Sequence, residues 1–204
     1  MFPLIPKGVY VEQNLNACVG NNVESNFLTY ASGYAKKAIS ILQSSISNPT
    51  KFYADEIIYP AAFSIRHSVE LRLKHWIGVL VEIGGIRELH RTLNREATHD
   101  IGIIWSFVKS YSIEIDRRYV MFIEALDPYI SALNAMDNTG QTFRYPKNNK
   151  DSKHLINESI ISLNLLLFRF IELESIFELL HHFNEKVKVE VELNEILAKQ
   201  FVVP

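Results

Sequence analysis

Arg66, Glu70 and Lys74 stand four apart, so on a helix they form one row on a single face, positive, negative, positive. The segment that carries them, Phe63 to Ile77, is otherwise mostly apolar. Charged groups in or near a core cost several kcal/mol each unless paired. The row therefore needs partners from elsewhere, and His99-Asp100 and Arg144-Tyr145 are the candidates. Metal-independent RNA cleavage needs a base near the 2′-hydroxyl, an acid at the leaving oxygen and a cation for the phosphorane charge. His99 can serve as base or acid, held by Asp100 or Glu70. Arg144 and Arg66 can clamp the phosphate, because guanidinium forks bind phosphate bidentately. His99, Arg144, Arg66 and Glu70 are thus a candidate catalytic set. The same residues also read as a buried network, in which Glu70 pairs with Arg144 or Arg66, His99 bonds a backbone group and a loop is pinned to the helices.

The loop from Gln141 to His154 holds Arg144, Lys147, Lys150, Lys153 and His154 against one acid, Asp151, with Phe143 and Tyr145 among the cations. Cations for phosphates and aromatic faces for bases are what single-stranded nucleic acid needs. Arg144, Tyr145, Lys147, Lys150 and Lys153 are therefore candidate nucleic-acid-binding residues. In the structural alternative the two rings anchor the loop in the core and the lysines are only solvated. The Phe-Arg-Tyr-Pro spacing favours anchoring of at least one ring. Signals for other chemistry are weak. His67 and His75 can share a helix face, without a carboxylate that completes a facial triad, and the neighbours His181 and His182 point in different directions. There is no Gly-rich phosphate loop, no Gly-x-Ser-x-Gly elbow and no Cys–His pairing. No metal and no cofactor is expected, and Cys18 reads as inert.

The elements that must position these residues are helical. Phe27, Tyr30, Ala31, Tyr34, Ala38, Ile41 and Leu42 recur three or four apart, and Asn48-Pro49-Thr50 ends that helix. A second helix is expected from about Tyr53 to Val81, with Pro60 in its early turns and Gly84-Gly85 as its stop. Arg87 to Thr98 is a charged connection. Asp100 is the N-cap expected for a short apolar helix containing Ile101, Ile104, Trp105 and Val108. Residues 114–136 form a further amphipathic helix in which Pro128 predicts a kink or break. Asp137 to His154 is the one long irregular stretch, a length that in compact domains goes with function or disorder. The last long helix, about Ile156 to Phe183, is hydrophobic nearly all round and so expects burial inside the bundle or against another copy. Trp76, Trp105 and Phe122 fall on apolar faces and read as core. Residues 186–193 alternate strictly and read as a strand, pairing with residues 8–12 to join the chain ends, with a continued charged helix as the alternative.

The expected fold class is all-α, an up-and-down bundle of four to five helices with a small peripheral β element from the chain ends. It is one domain over residues 1–204, with an N-terminal extension over 1–25 and a C-terminal extension over 184–204. A length of 204 residues suffices for one core, and 48% hydrophobic with 22% charged residues is ordinary for a globular protein. The net charge of −2 argues against attraction of nucleic acid by the molecule as a whole and leaves room for a local basic patch. A single cysteine excludes an intrachain disulfide framework and suits a reducing compartment. The N-terminal residues do not read as a signal peptide, and the longest apolar run, Leu163 to Phe168, is far short of a membrane span. A cytoplasmic location without membrane association is the expectation.

The run Tyr59-Pro60-Ala61-Ala62-Phe63 through Arg66-His67-Ser68-Val69-Glu70-Leu71-Arg72-Leu73-Lys74, then His99-Asp100-Ile101 with Trp105, then Phe143-Arg144-Tyr145-Pro146, resembles one branch of the bacterial HEPN-like helical proteins. The matching blocks extend from about residue 57 to 170. The resemblance implies a helical bundle, frequent homodimers and, in many members, metal-independent RNA cleavage or RNA binding linked to phage defence or toxin–antitoxin pairs. The family's ribonuclease signature is an arginine followed after four to six residues by a histidine. Here three residues separate Arg95 from His99, seven separate Arg91 from His99 and nine separate Arg144 from His154, so no catalytic residue is carried over from the family. Two functions follow as expectations. One is an RNA-associated protein of defence or toxin type, with or without ribonuclease turnover. The other is a non-catalytic helical dimer that recruits another protein. A homodimer is the expected assembly, with RNA and a protein partner as the candidate ligands.

Overall fold

A computed structural model of the chain describes residues 17, 26–49, 51–84, 99–148, 150–155 and 160–201. Among them are five α-helices: α1 (Phe27–Ser47), α2 (Lys51–Gly84), α3 (Ile101–Ile115), α4 (Val120–Asp137) and α5 (Leu163–Phe201), with a 3-10 turn, Arg117–Tyr119, between α3 and α4. All five contribute to one core. Ala31, Ala35, Ala38 and Leu42 of α1, Ile65, Val69, Leu73, Trp76 and Leu80 of α2, Ile104, Trp105 and Val108 of α3, Phe122, Leu126 and Ile130 of α4, and Phe170, Leu173, Phe177 and Leu180 of α5 are all buried. The run of alanines on α1 has no bulk beyond Cβ, so that helix and α2 pack closely.

Local signals set most boundaries. Asn26 caps α1, its side chain accepting from Thr29 N at 3.0 Å, and Asn48 ends it before Pro49. Asp100 caps α3, accepting from Gly102 N at 2.9 Å and Ile103 N at 3.0 Å. Pro60 and Pro128 lie inside α2 and α4, and neither helix breaks there. Both prolines are exposed, as are Glu56 and Glu124 four residues earlier, so each carbonyl deprived of its N–H partner faces water.

Three expectations need correction. Residues 186–193 are helix, part of α5, and among the described residues there is no strand, only an isolated bridge between Lys147 and Lys153. The alternation that imitates a strand also satisfies a helix. Val187 falls on the buried face, while Lys188 reaches Glu82 at 2.8 Å and Glu185 at 3.4 Å, the second an i,i+3 pair that supports a helix. The strand proposed for residues 8–12, Cys18 and the connection at 87–98 lie outside the described residues. The last helix begins at Leu163 and runs to Phe201, later and longer than expected. The helix expected from residue 114 is divided: Asp116 is extended and accepts from Arg118 N at 2.8 Å, closing α3 and opening the 3-10 turn.

Candidate functional site

Arg66 is almost completely buried, at 1% exposure. Its guanidinium donates to the Glu70 carboxylate and to His99 O, to Asn138 O at 2.9 Å and to Asp137 O at 3.3 Å. Two of these acceptors are carbonyls at the C-terminal end of α4, where helical C=O groups lack partners and a cation is favoured. The third belongs to the residue that leads into α3. One side chain of α2 thus fastens both ends of the α3–α4 pair, and a bond from Ile101 N to Asn138 O at 3.0 Å closes the same junction. Gly140 passes directly over the guanidinium with φ +77°. A Cβ there would lie 3.2 Å from Arg66 Cζ, so conformation and contact both favour glycine.

Glu70, also 1% exposed, collects four basic groups. Lys74 Nζ lies 2.6 Å from Oε1, His99 Nδ1 3.0 Å from Oε1 and His67 Nδ1 3.9 Å from Oε2, with Arg66 on Oε2. Burial alone would raise its pKa. His67, Lys74 and Arg66 outweigh that and hold the carboxyl well below the usual range. An ionised Glu70 accepts only, so Nδ1 of His99 carries the proton facing it, and Nε2 of a neutral ring keeps its lone pair. The His99 ring is 67% exposed. An exposed imidazole oriented in this way by a buried carboxylate can accept a proton from a bound hydroxyl.

The loop is ordered by its own side chains. Asp137 Oδ1 accepts from Gln141 N at 2.8 Å and Thr142 N at 3.1 Å. Asn148 Oδ1 accepts from Lys150 N and Ser152 N, at 2.9 and 3.1 Å, and Asn148 N donates to Ser152 O at 2.9 Å. Phe143 is the ring that anchors in the core, 6% exposed, whereas Tyr145 is 48% exposed. Arg144 does not reach Glu70. It lies over the rings of Phe63 and Tyr145, 5.7 and 5.2 Å from their centroids, a cation–π arrangement. Lys147 pairs with Asp151 at 2.8 Å. Among the described residues Arg144, Lys150 and Lys153 have no acidic partner.

Beside this loop lies a groove of about 570 Å³, walled by Tyr59, Phe143, Arg144, Tyr145, Lys147, Lys153 and His154. The buried Nε2 of His154 has no hydrogen-bond partner among the described residues. Comparison with protein-family models, curated proteins and solved structures finds no match to this chain.

The candidate residues fall into two groups. Arg66 and Glu70 are buried scaffold, and His99 is their exposed edge. Arg144, Tyr145, Lys147 and Lys153 line the groove, with Lys150 exposed at the hairpin turn. The α2 face joins the groups: Tyr59 walls the groove, Phe63 carries Arg144 and stacks on His67 (centroids 5.6 Å apart), and His67 approaches Glu70. Glu70 lies seven positions after Phe63 on the helix, roughly 10 Å at 1.5 Å per residue. Tyr59, Phe63 and His67 were not singled out from sequence as parts of this surface, although their spacing of four already places them on one face. Arg72, which donates to Glu174 and Glu178 of α5, was also missed. Among the described residues no group of three or more His, Cys, Asp or Glu side chains converges as a metal site would require.

Proposed function

We propose that this chain is a HEPN-like, cytoplasmic RNA-associated protein of bacterial defence or toxin type that holds a single strand along the exposed edge of α2. The observation that carries this reading is the basic, aromatic groove at Tyr59, Arg144, Tyr145, Lys147 and Lys153. Its cations suit phosphates and its rings suit unstacked bases. Within this reading Arg66 and Glu70 act by positioning: they fix the hairpin to the helices and set the tautomer of His99.

The Glu70–His99 pair favours a second reading, slow metal-independent cleavage. His99 Nε2 would take the proton of a 2′-hydroxyl as that oxygen bonds the adjacent phosphorus and the bond to the 5′-oxygen breaks, the leaving oxygen taking a proton from solvent, with Lys74, which lies on Glu70 beside His99, facing the phosphorane charge. The other class, a non-catalytic interaction module, draws support from the apolar face of α5.

The test is anisotropy of a labelled single-stranded RNA with wild type and with Arg144→Ala, Lys147→Ala and Lys153→Ala combined. Affinity is expected to fall by about tenfold or more, since three cations that would face phosphates are lost. Equal affinity of the two proteins, or preference for duplex, overturns the reading. Cleavage of the same RNA in EDTA that is lost in His99→Ala would add turnover.

A further inference from the structure

His154 stands in the wall of the groove of about 570 Å³, and its buried Nε2 has no hydrogen-bond partner among the described residues. A buried imidazole nitrogen costs stability until a polar group meets it. Leu155, also in that wall, follows at φ +54°, a left-handed conformation that a bulky residue keeps only where its surroundings impose it. The chain is thus held in a strained turn at the point where His154 meets the groove.

The walls are graded by depth. Phe143 is buried and His154 and Leu155 are half-buried, whereas Tyr59, Arg144, Tyr145 and Lys153 are exposed. The floor is therefore apolar apart from one imidazole edge, and the tyrosine rings and the cations stand at the mouth. A phosphate on the floor would lose its hydration against Phe143 and Leu155 while the cations stayed outside. A base fits the gradient. Its flat faces suit Tyr59 or Tyr145, its polar edge suits His154, and the phosphate on its own sugar reaches the zone of Arg144 and Lys153. Clefts of ~300–1,000 Å³ take a small molecule, so the space suits one nucleotide and not a duplex, whose base edges are already paired. Nε2 presents a proton in one tautomer and a lone pair in the other, and the edges of the four bases differ in which of these they answer. In either tautomer the contact discriminates.

Given single-strand binding at this groove, we propose that it admits one unpaired nucleotide of the strand, base inward, and that His154 selects which base. His154 is then the specificity-determining residue, while Arg144 and Lys153 hold the strand whatever its sequence.

The probes are the 3′,5′-bisphosphates of adenosine, cytidine, guanosine and uridine, each a single nucleotide flanked by phosphates, titrated into the full-length protein by NMR. Wild type is expected to bind its preferred base about fivefold or more tighter than the weakest, and His154→Phe, which keeps a flat ring and removes the polar edge, to bring the four affinities within about twofold. His154→Gln keeps a polar edge with a different set of donors and acceptors, and is expected to change the order of preference. It decides the matter if the phenylalanine variant loses the wild-type circular dichroism. Equal affinity of wild type for the four probes, affinity for none of them, or an order that survives in the variants overturns the proposal. If labelled single-stranded RNA is still bound in that case, RNA association stands without base selection by His154. Absence of binding to the RNA and to all four probes overturns both. Selective binding of the probes without binding of RNA would make this the site of a free nucleotide and overturn His154 as the reader of a strand.

Discussion

Two buried carboxylates on the α2 side of the core behave in opposite ways, and the difference lies in the number of cations each meets. Glu70 meets Arg66, Lys74 and two histidines, which hold it ionised despite burial. Glu174 of α5 has one arginine, Arg72. Burial pushes its carboxyl up, and Arg72 offsets only part of that. Removing Glu70 leaves Arg66 charged, buried and missing an acceptor. Glu70→Ala is expected to cost about 3–5 kcal/mol, measured by denaturant unfolding at neutral pH. The pH dependence follows from the sign of the shift. A carboxyl whose folded pKa is lowered stabilises above its unfolded value of ~4.3 and loses that contribution as pH falls towards its folded value. The gap between wild type and Glu70→Ala should therefore stay constant from neutral pH to about 5 and close only in stronger acid. A gap that is small at pH 7 would mean that Arg66 finds solvent when Glu70 is gone.

At the scale of elements, α2 and α5 meet through a second titrating contact. His75 and His181 place their rings 6.2 Å apart, and Nε2 of His75 and Nδ1 of His181 are buried without partners among the described residues. Burial first, then the neighbouring His181 and Lys188, lowers the pKa of His75, while Glu185 acts the other way. A histidine kept neutral by the fold stabilises above its unfolded pKa of ~6.5 and ceases to do so as pH falls. Wild-type melting temperature is expected to drop between about pH 7 and 5, and His75→Leu to flatten that drop. Parallel profiles for the two proteins would assign the titration elsewhere.

Helix positions were legible in sequence wherever apolar residues recur three or four apart and a cap or proline marks the end, as at Asn48 and Asp100. Residues 186–193 were not, because an alternation of Lys, Val and Glu fits either period and only Val187 on the core and Lys188 on Glu82 decide it. The row Arg66–Glu70–Lys74 was legible too. Of the partners of Arg66 only Glu70 was, since the other three are backbone carbonyls, which every residue type supplies. Arg72 was invisible for another reason: its acceptors lie a hundred positions along the chain.

The whole molecule carries a net charge of −2, yet three cations without acidic partners among the described residues stand on or beside one groove. Binding of a polyanion must therefore be local. For single strands the logarithm of affinity falls by about 0.7 per neutralised phosphate against the logarithm of salt, so some three contacts predict a slope near −2. A much steeper slope would mean that the strand runs beyond the groove. Among the described residues no helix is long and apolar enough to cross a membrane. The groove lies where α2 meets the loop after α4.

The closeness of Gly140 to Arg66 has an evolutionary consequence. An arginine at 66 would stand 3.2 Å from a Cβ at 140, so a side chain there would shift the guanidinium against the carbonyls that it joins. The positive φ adds a second constraint on 140 that does not depend on the arginine. Relatives that keep an arginine at the first should keep glycine at the second, and those that replace the arginine should turn to asparagine or aspartate at 140 before any bulkier residue.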